Sequence, residues 1–166
     1  MIRIESLSRP DPTAVTQPAF HARLNAAKRH VALDLSTDAG RERLGELVAR
    51  ADVVLTSARA RGLRAVGLLP GRVGRAIHVA ITAHGLEGPG AARIGFGDDC
   101  AVAGGLVDVD AQGRPSFAGD AIADPLTGMR AAAVALRALA RGESGTVDVS
   151  LASTAARVAR LRRGDA

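Results

Sequence analysis

The chain has 166 residues with 47% hydrophobic and 23% charged side chains, a length and composition typical of one folded domain. This composition excludes an intrinsically disordered chain, and the lack of any apolar run of about 18 residues excludes a membrane-spanning helix. The net charge of +5 favours anionic ligands such as phosphates and nucleotides, although an arginine-rich composition alone produces the same charge. Aromatic residues make up only 2% of the chain, which disfavours nucleic-acid binding through stacked bases.

Cysteine usage and the N-terminal segment indicate the compartment. Cys100 is the single cysteine in the sequence, which excludes an internal disulfide and a multi-cysteine zinc site. The N-terminal segment MIRIESLSRPDPT has no apolar stretch of signal-peptide length. We therefore expect a cytoplasmic protein.

Short apolar runs in the first half of the chain predict four β-strands. Their sequences are MIRIES, HVALDL, DVVLT and AIHVAIT, at positions 1–6, 30–35, 52–56 and 76–82. The last three are β-branched and bounded by turn or helix signals, as buried strands of parallel sheets usually are.

Helices are predicted between these strands. Residues 37–51 place Leu44, Leu47 and Val48 on one helical face, with Ser36 or Thr37 expected as the N-cap. We also expect an ion pair between Glu46 and Arg50, one helical turn apart. A shorter helix is expected over 59–66, ended by Gly67, Pro70 and Gly71.

The second half begins with a glycine-rich loop, AHGLEGPGAARIGFG, of a length that is usually functional inside a domain. A helix near 98–106 and a turn at DAQGRP follow. The longest helical pattern covers 124–141, with a predicted buried stripe of Leu126, Met129, Ala133, Leu136 and Ala140. The strand TVDVSL and a basic helix over 152–163 come next. We expect a single α/β domain over 1–166, with a Rossmann-like open parallel sheet.

Few residues form a motif with chemistry of its own. The four histidines lack the i,i+4 spacing of a helical metal motif, so no metal site is predicted from spacing, and His84 is the one expected to touch a ligand. Most of the acidic residues fit solvated loops or helix caps. Asp124 precedes Pro125 and fits an N-cap, because proline favours the first helical position.

Four stretches, taken together, resemble the class III CoA-transferases, the formyl-CoA/carnitine CoA-transferase family. They are FHARLNAAKRHVALDLSTDAGRERLGELVARADVVL (20–55), VAITAHGLEGPG (79–90), AIADPLTGMRAAAVALRALARGESG (121–145) and VDVSL (147–151). They run in the family's order and close to its spacing. The resemblance implies an incomplete class III large domain, without the family's N-terminal βαβ unit and C-terminal portion.

The resemblance also implies roles for particular residues. Asp124 matches the catalytic nucleophile. The positions that match CoA-contacting segments are Asn25, Lys28, Arg59, Thr82, Ala83, His84 and Gly85. Related acyl-CoA racemases place a catalytic histidine near Phe96, and phenylalanine cannot carry a proton, which argues against racemisation.

The function implied is transfer of CoA from an acyl-CoA to a carboxylic acid through an aspartyl anhydride and an aspartyl thioester. Coenzyme A enters as a substrate, and no permanently bound cofactor or metal is implied. The alternatives are a non-catalytic or vestigial CoA-binding fragment and one subunit of a split enzyme. A homo-oligomer or a partner chain is expected, because a shortened sheet leaves the first strand at an open edge.

Overall fold

A computed structural model describes residues 1–68, 71 and 73–164 of the chain. Pro70, expected to help end the short helix over 59–66, lies outside these described residues. The fold is α/β with parallel strand pairs, as predicted. It divides into two units, Met1–Arg50 and Ala51–Ala166.

The unit Met1–Arg50 is a parallel strand pair with three helices. Its elements in chain order are β1 (Ile2–Ser6), α1 (Thr13–Thr16), α2 (Pro18–Asn25), β2 (Arg29–Leu33) and α3 (Asp38–Ala49). β1 and β2 run parallel, with Ile4 opposite Val31. Both strands and α3 were predicted, whereas α1 and α2 were not.

The start of α3 is fixed by side-chain capping, as expected. The Thr37 hydroxyl accepts a hydrogen bond from the Gly40 N–H at 3.1 Å, which makes Thr37 rather than Ser36 the N-cap. The Asp34 carboxylate accepts from the Ser36 N–H, so the chain turns before α3, and β2 ends at Leu33. The expected pairing of Glu46 with Arg50 is wrong, because Glu46 pairs with Arg43.

The unit Ala51–Ala166 contains a three-stranded parallel sheet with helices packed against it. Its elements are β3 (Val53–Thr56), α4 (Ala60–Ala65), β4 (Ile77–Thr82), α5 (Gly97–Ala103), β5 (Val107–Val109), β6 (Pro115–Phe117), α6 (Ala123–Ala140), β7 (Gly145–Ser150) and α7 (Leu151–Arg163). The strand order is β3-β4-β7. The turn predicted at DAQGRP joins β5 and β6 into a short antiparallel hairpin.

The central strand β4 has a different environment on each face. Ile77 and Val79 pack against α6 and Val149. His78 points to the other face and is fully buried, within 2.9 Å of the Thr56 hydroxyl and 3.4 Å of the Thr146 hydroxyl. Its burial lowers the pKa of His78, because a charged imidazole is poorly solvated there.

The packing face of α6 differs from the predicted stripe. The buried residues are Ala123, Thr127, Ala131, Ala135 and Ala138. Of the predicted stripe, Leu126 is half-buried and packs against the core, whereas Met129 and Leu136 are 64% and 66% exposed. Small side chains face the sheet because the bulky Ile77 and Val79 fill the space from the other side. The prediction was wrong because it followed the largest apolar residues on a helix that is apolar on two faces.

None of the described helices is long and apolar enough to cross a membrane.

Candidate active site

The candidate site lies at the carboxyl edge of the sheet β3-β4-β7. The strands are parallel, with Thr56 opposite Ala80 and Thr82 opposite Ser150, so all three end on the same side. Ala123 at the start of α6 belongs to the buried cluster against which Ile81 and Ala83 pack, which places the N-terminus of α6 at this edge. Open α/β sheets bind ligands at such edges.

Asp124 lies in the first turn of α6 and is exposed. The N-cap position is held by Ile122, so the expectation that Asp124 caps the helix is wrong. Partial removal from water raises the pKa of the Asp124 carboxyl, and the charges of Asp98 and Asp99 raise it further. A hydrogen bond from the Gly97 backbone opposes this by stabilising the carboxylate.

The turn that leads into α6 holds Asp124 against α5. A Cβ atom on Gly97 would lie 2.5 Å from Asp124 Oδ2 and closer still to the Ala121 carbonyl oxygen, so only glycine fits there. Among the described residues, Ala121 is the one non-glycine residue with positive φ, at 45°. Its N–H donates to Asp98 Oδ1 at 2.6 Å, a bond that holds the strained backbone in place.

The loop after β4 is held by Asp148 of β7. Thr82 donates its hydroxyl proton to Asp148 Oδ1 at 2.7 Å and accepts from the Gly85 N–H at 3.0 Å. Asp148 Oδ2 accepts from the Leu86 N–H at 2.7 Å. The carbonyl oxygen of Ala83 accepts from the Ser150 hydroxyl at 3.1 Å. These bonds fix the backbone of Thr82, Ala83 and Gly85 at the sheet edge.

Cys100 connects this loop with the surroundings of Asp124. Its thiol is fully buried in α5 and lies 4.0 Å from His84 Nε2. Burial, followed by the negative charges of Asp99 and Asp124, raises the pKa of the Cys100 thiol to about 11. His84 is therefore a neighbour of this sulfur, and the charge of Asp124 acts on it.

The other predicted CoA-contacting residues are Arg59, in the unit Ala51–Ala166, and Asn25 and Lys28, in the unit Met1–Arg50. Arg59 is exposed and occupies the N-cap position of α4, just after β3. In the unit Met1–Arg50, Asn25 is buried, and its Oδ1 accepts from Lys28 Nζ at 2.9 Å. The Asn25 amide also donates to the His21 carbonyl oxygen at 3.0 Å.

Sequence reasoning did not identify Gly97, Asp98 or Asp148 as parts of the site. The GFG segment and the Asp98–Asp99 pair were the available signals for the first two. Asp148 is the polar residue of an ordinary alternating strand, TVDVSL. Its contacts with the loop after β4 follow only from the pairing of β7 with β4, which the sequence does not show.

Comparison with known proteins agrees with this architecture. A family model described as CoA-transferase family III matches residues 1–163. The solved structure of Rv3272 from M. tuberculosis superposes with a TM-score of 0.84 at 25% identity, over 98% of this chain and 49% of that one. A CAIB/BAIF family protein from Brucella suis gives a TM-score of 0.82 at 26% identity, over 98% of this chain and 50% of that one. This chain therefore spans about half the length of these structures. No curated protein sequence matches it.

The fold and the carboxyl-edge site define a Rossmann-like α/β protein whose solved neighbours are about twice its length. The chain belongs to CoA-transferase family III. The family membership predicted from the sequence resemblance is confirmed.

Proposed function

We propose that this chain carries the nucleophile of a CoA-transferase, and that this nucleophile is Asp124. The observation that carries the proposal is the environment of this side chain in a member of the family. An exposed carboxylate lies in the first turn of a helix, beside a backbone N–H, with a raised pKa. A carboxylate whose charged form is disfavoured is a stronger nucleophile than one fully solvated in water.

The proposed reaction divides one difficult transfer into four acyl substitutions. An Asp124 oxygen attacks the thioester carbonyl carbon of the donor, the carbon–sulfur bond breaks, and CoA leaves as a thiolate. The thiolate then attacks the Asp124 carboxyl carbon of the mixed anhydride and releases the donor acid. The acceptor carboxylate attacks the resulting aspartyl thioester and releases the thiolate again. Attack of this thiolate on the acceptor's acyl carbon forms the new acyl-CoA and frees Asp124.

Each tetrahedral intermediate needs hydrogen-bond donors for its oxyanion. We assign this task to backbone N–H groups of the glycine-rich loop that begins at Gly85. Thr82 and Asp148 hold the start of that loop by accepting from the Gly85 and Leu86 N–H groups, so the donors for the oxyanion are N–H groups further along the loop. The Gly97 N–H remains bonded to Asp124 and orients the nucleophile instead.

The CoA-contacting residues are proposed to act mainly through charge and backbone contacts. Arg59 is exposed at the same sheet edge and fits a phosphate group of CoA. In the other unit, Asn25 holds the Lys28 ammonium by one hydrogen bond, and the ammonium keeps two further donors for a phosphate.

The test is a CoA-transfer assay on the purified chain, with calorimetric titration of CoA alongside. We expect transfer in the wild-type chain, its loss in Asp124→Asn, and unchanged CoA affinity in that variant. Asp120→Asn is the matched control, because Asp120 is exposed and lies four residues before Asp124. Full activity of Asp124→Asn would contradict the assignment.

The stability of Asp124→Asn separates a catalytic role from a structural one. The raised pKa means that the folded chain disfavours the Asp124 charge. Removing that charge should leave the midpoint of thermal unfolding unchanged or higher. Loss of a helix cap would instead cost about 1 kcal/mol and lower the midpoint.

A non-catalytic CoA-binding chain is the second candidate function. The observation that favours it is that Arg59 is exposed and that Lys28 keeps free donors, so that both can bind CoA phosphates without the nucleophile. It predicts calorimetric CoA binding without transfer by the wild-type chain. If the wild-type chain neither transfers nor binds CoA, both functions are excluded.

We also propose that the chain associates with a second copy of itself or with a partner chain. Met129 and Leu136 leave one face of α6 apolar and exposed, although charged side chains usually cover such a face. We expect sedimentation to show association at high concentration, weakened by Met129→Lys and Leu136→Lys together. A monodisperse monomer would contradict this.

A further inference from the structure

His84, Asp99 and Cys100 bring three different metal-ligating groups together at the carboxyl edge of the sheet. The imidazole nitrogen, the carboxylate oxygen and the thiol sulfur all lie within 4.8 Å of one another. Sequence spacing could not reveal this group, because His84 lies on the loop after β4 whereas Asp99 and Cys100 lie on α5. Nitrogen, sulfur and carboxylate oxygen are the ligands of zinc in proteins.

The space between the thiol and the carboxylate is open because residue 95 is glycine. A Cβ atom on Gly95 would lie 2.6 Å from Cys100 Sγ and 3.1 Å from Asp99 Oδ2. Any other residue would place a carbon atom directly against both ligand atoms. The absence of a side chain at Gly95 therefore leaves the space beside Cys100 Sγ and Asp99 Oδ2 open.

The surrounding contacts leave the ligand atoms available. Asp99 Oδ1 accepts from the Phe96 N–H at 2.6 Å, which fixes the carboxylate and leaves Oδ2 to bind. Apart from its contact with His84, the Cys100 thiol makes a long contact at 3.7 Å with the Ala83 carbonyl oxygen. Asp99 is exposed and His84 is half-buried, so the cluster is open to solvent on their side although Cys100 is buried.

We propose that His84 Nε2, Asp99 Oδ2 and Cys100 Sγ form a binding site for Zn²⁺ or a cation of similar softness. Three protein ligands leave the fourth tetrahedral position open to solvent or to an added ligand. Binding replaces the thiol proton with the metal, so one proton is released from Cys100 for each ion bound. The positive charge of Arg93, which acts on Cys100, opposes the cation and limits its affinity.

Cobalt(II) is the probe that reports thiolate ligation directly, because a sulfur–cobalt bond gives a near-ultraviolet charge-transfer band. The chelator-treated, reduced chain is titrated with Co²⁺ and then with Zn²⁺. We expect one Co²⁺ per chain, the charge-transfer band, and loss of the band when Zn²⁺ displaces Co²⁺. The readout does not depend on CoA transfer, so the outcome is independent of the proposed activity.

Three variants test the ligand set. Cys100→Ser should abolish the charge-transfer band, and His84→Gln should weaken binding by about tenfold or more. Gly95→Ala should weaken binding similarly, because the added Cβ fills the space beside the sulfur without removing a ligand. The matched controls are His30→Gln, at an exposed histidine of the other unit, and Gly128→Ala, where no atom lies within 4 Å of the new Cβ.

Asp99→Asn, which should also weaken binding, is measured alongside these variants, and circular dichroism verifies that each variant is folded before its affinity is compared. Absence of the band in the folded wild-type chain would overturn the proposal. An unchanged Co²⁺ affinity in both His84→Gln and Asp99→Asn would overturn it as well, because the band would then report the thiol alone.

Discussion

Replacing Gly97 by alanine tests whether the close contact between α5 and the start of α6 holds Asp124. The new Cβ would lie 2.5 Å from Asp124 Oδ2 and closer to the Ala121 carbonyl oxygen. The carbonyl belongs to the backbone, so it cannot give way by a side-chain rotation. Overpacking of this kind costs about 1–3 kcal/mol. Alanine returns at most about 1 kcal/mol of helix propensity, and less at the first residue of a helix.

The net expectation for Gly97→Ala is a free energy of unfolding lower by about 1–2 kcal/mol. For a chain of this length, the unfolding temperature falls by about 2–4 °C for each kcal/mol. Asp124 must also move, so CoA transfer should fall more steeply than stability does. Urea unfolding followed by circular dichroism measures the first effect, and the transfer assay measures the second.

Gly128→Ala is the matched control inside the same helix as Asp124. No atom lies within 4 Å of its added Cβ, so only the propensity gain of about 0.5–1 kcal/mol remains. The two alanine variants should therefore change stability in opposite directions. If the two variants changed the free energy of unfolding equally, or if Gly97→Ala kept wild-type transfer activity, the close contact at Gly97 would not be what positions Asp124.

Three further predictions concern folding and the loop. Thr37→Ala should lower the free energy of unfolding by about 1 kcal/mol in a urea titration, and Ser36→Ala by less, because Thr37 is the N-cap. Burial lowers the pKa of His78, so below pH 6.5 the unfolded chain takes up a proton that the folded chain refuses; stability should fall as pH is lowered, and the slope should be smaller in His78→Gln. Asp148→Ala leaves the Thr82 hydroxyl and the Leu86 N–H without their acceptor, which should lower the unfolding midpoint and raise amide exchange in the loop.

The strands of the parallel sheets and most helices could be predicted because each has a clear local pattern, whereas β5 and β6 were not predicted and only the turn between them was. The apolar run AIHVAIT predicted β4, and Ser36 and Thr37, as candidate N-caps, predicted the start of α3. α1 and α2 were missed, because PTAVTQPAFHARLN has two prolines and no apolar stripe of helical period. The stripe on α6 was wrong because the close approach of helix and sheet selects small residues, a tertiary effect invisible in one helix.

The residues of the candidate site could be predicted only where a single stretch of sequence resembled the family. Asp124 and the loop from Thr82 to Gly85 lie in stretches that resemble the family. Asp98, Asp148 and Gly97 act on backbone groups of distant segments, and their roles depend on which elements pack together. The cluster of His84, Asp99 and Cys100 likewise depends on α5 packing against the loop after β4.

The most direct test of the central claim is chemical trapping of the covalent intermediate. The chain is incubated with an acyl-CoA and hydroxylamine, which converts an aspartyl anhydride or thioester into an aspartyl hydroxamate. Peptide mass spectrometry should then find the hydroxamate on Asp124 and on no other carboxylate, and Asp124→Asn should show none. A hydroxamate on Asp98, Asp99 or Asp120 would contradict the assignment of Asp124 as the nucleophile, as would its persistence in Asp124→Asn.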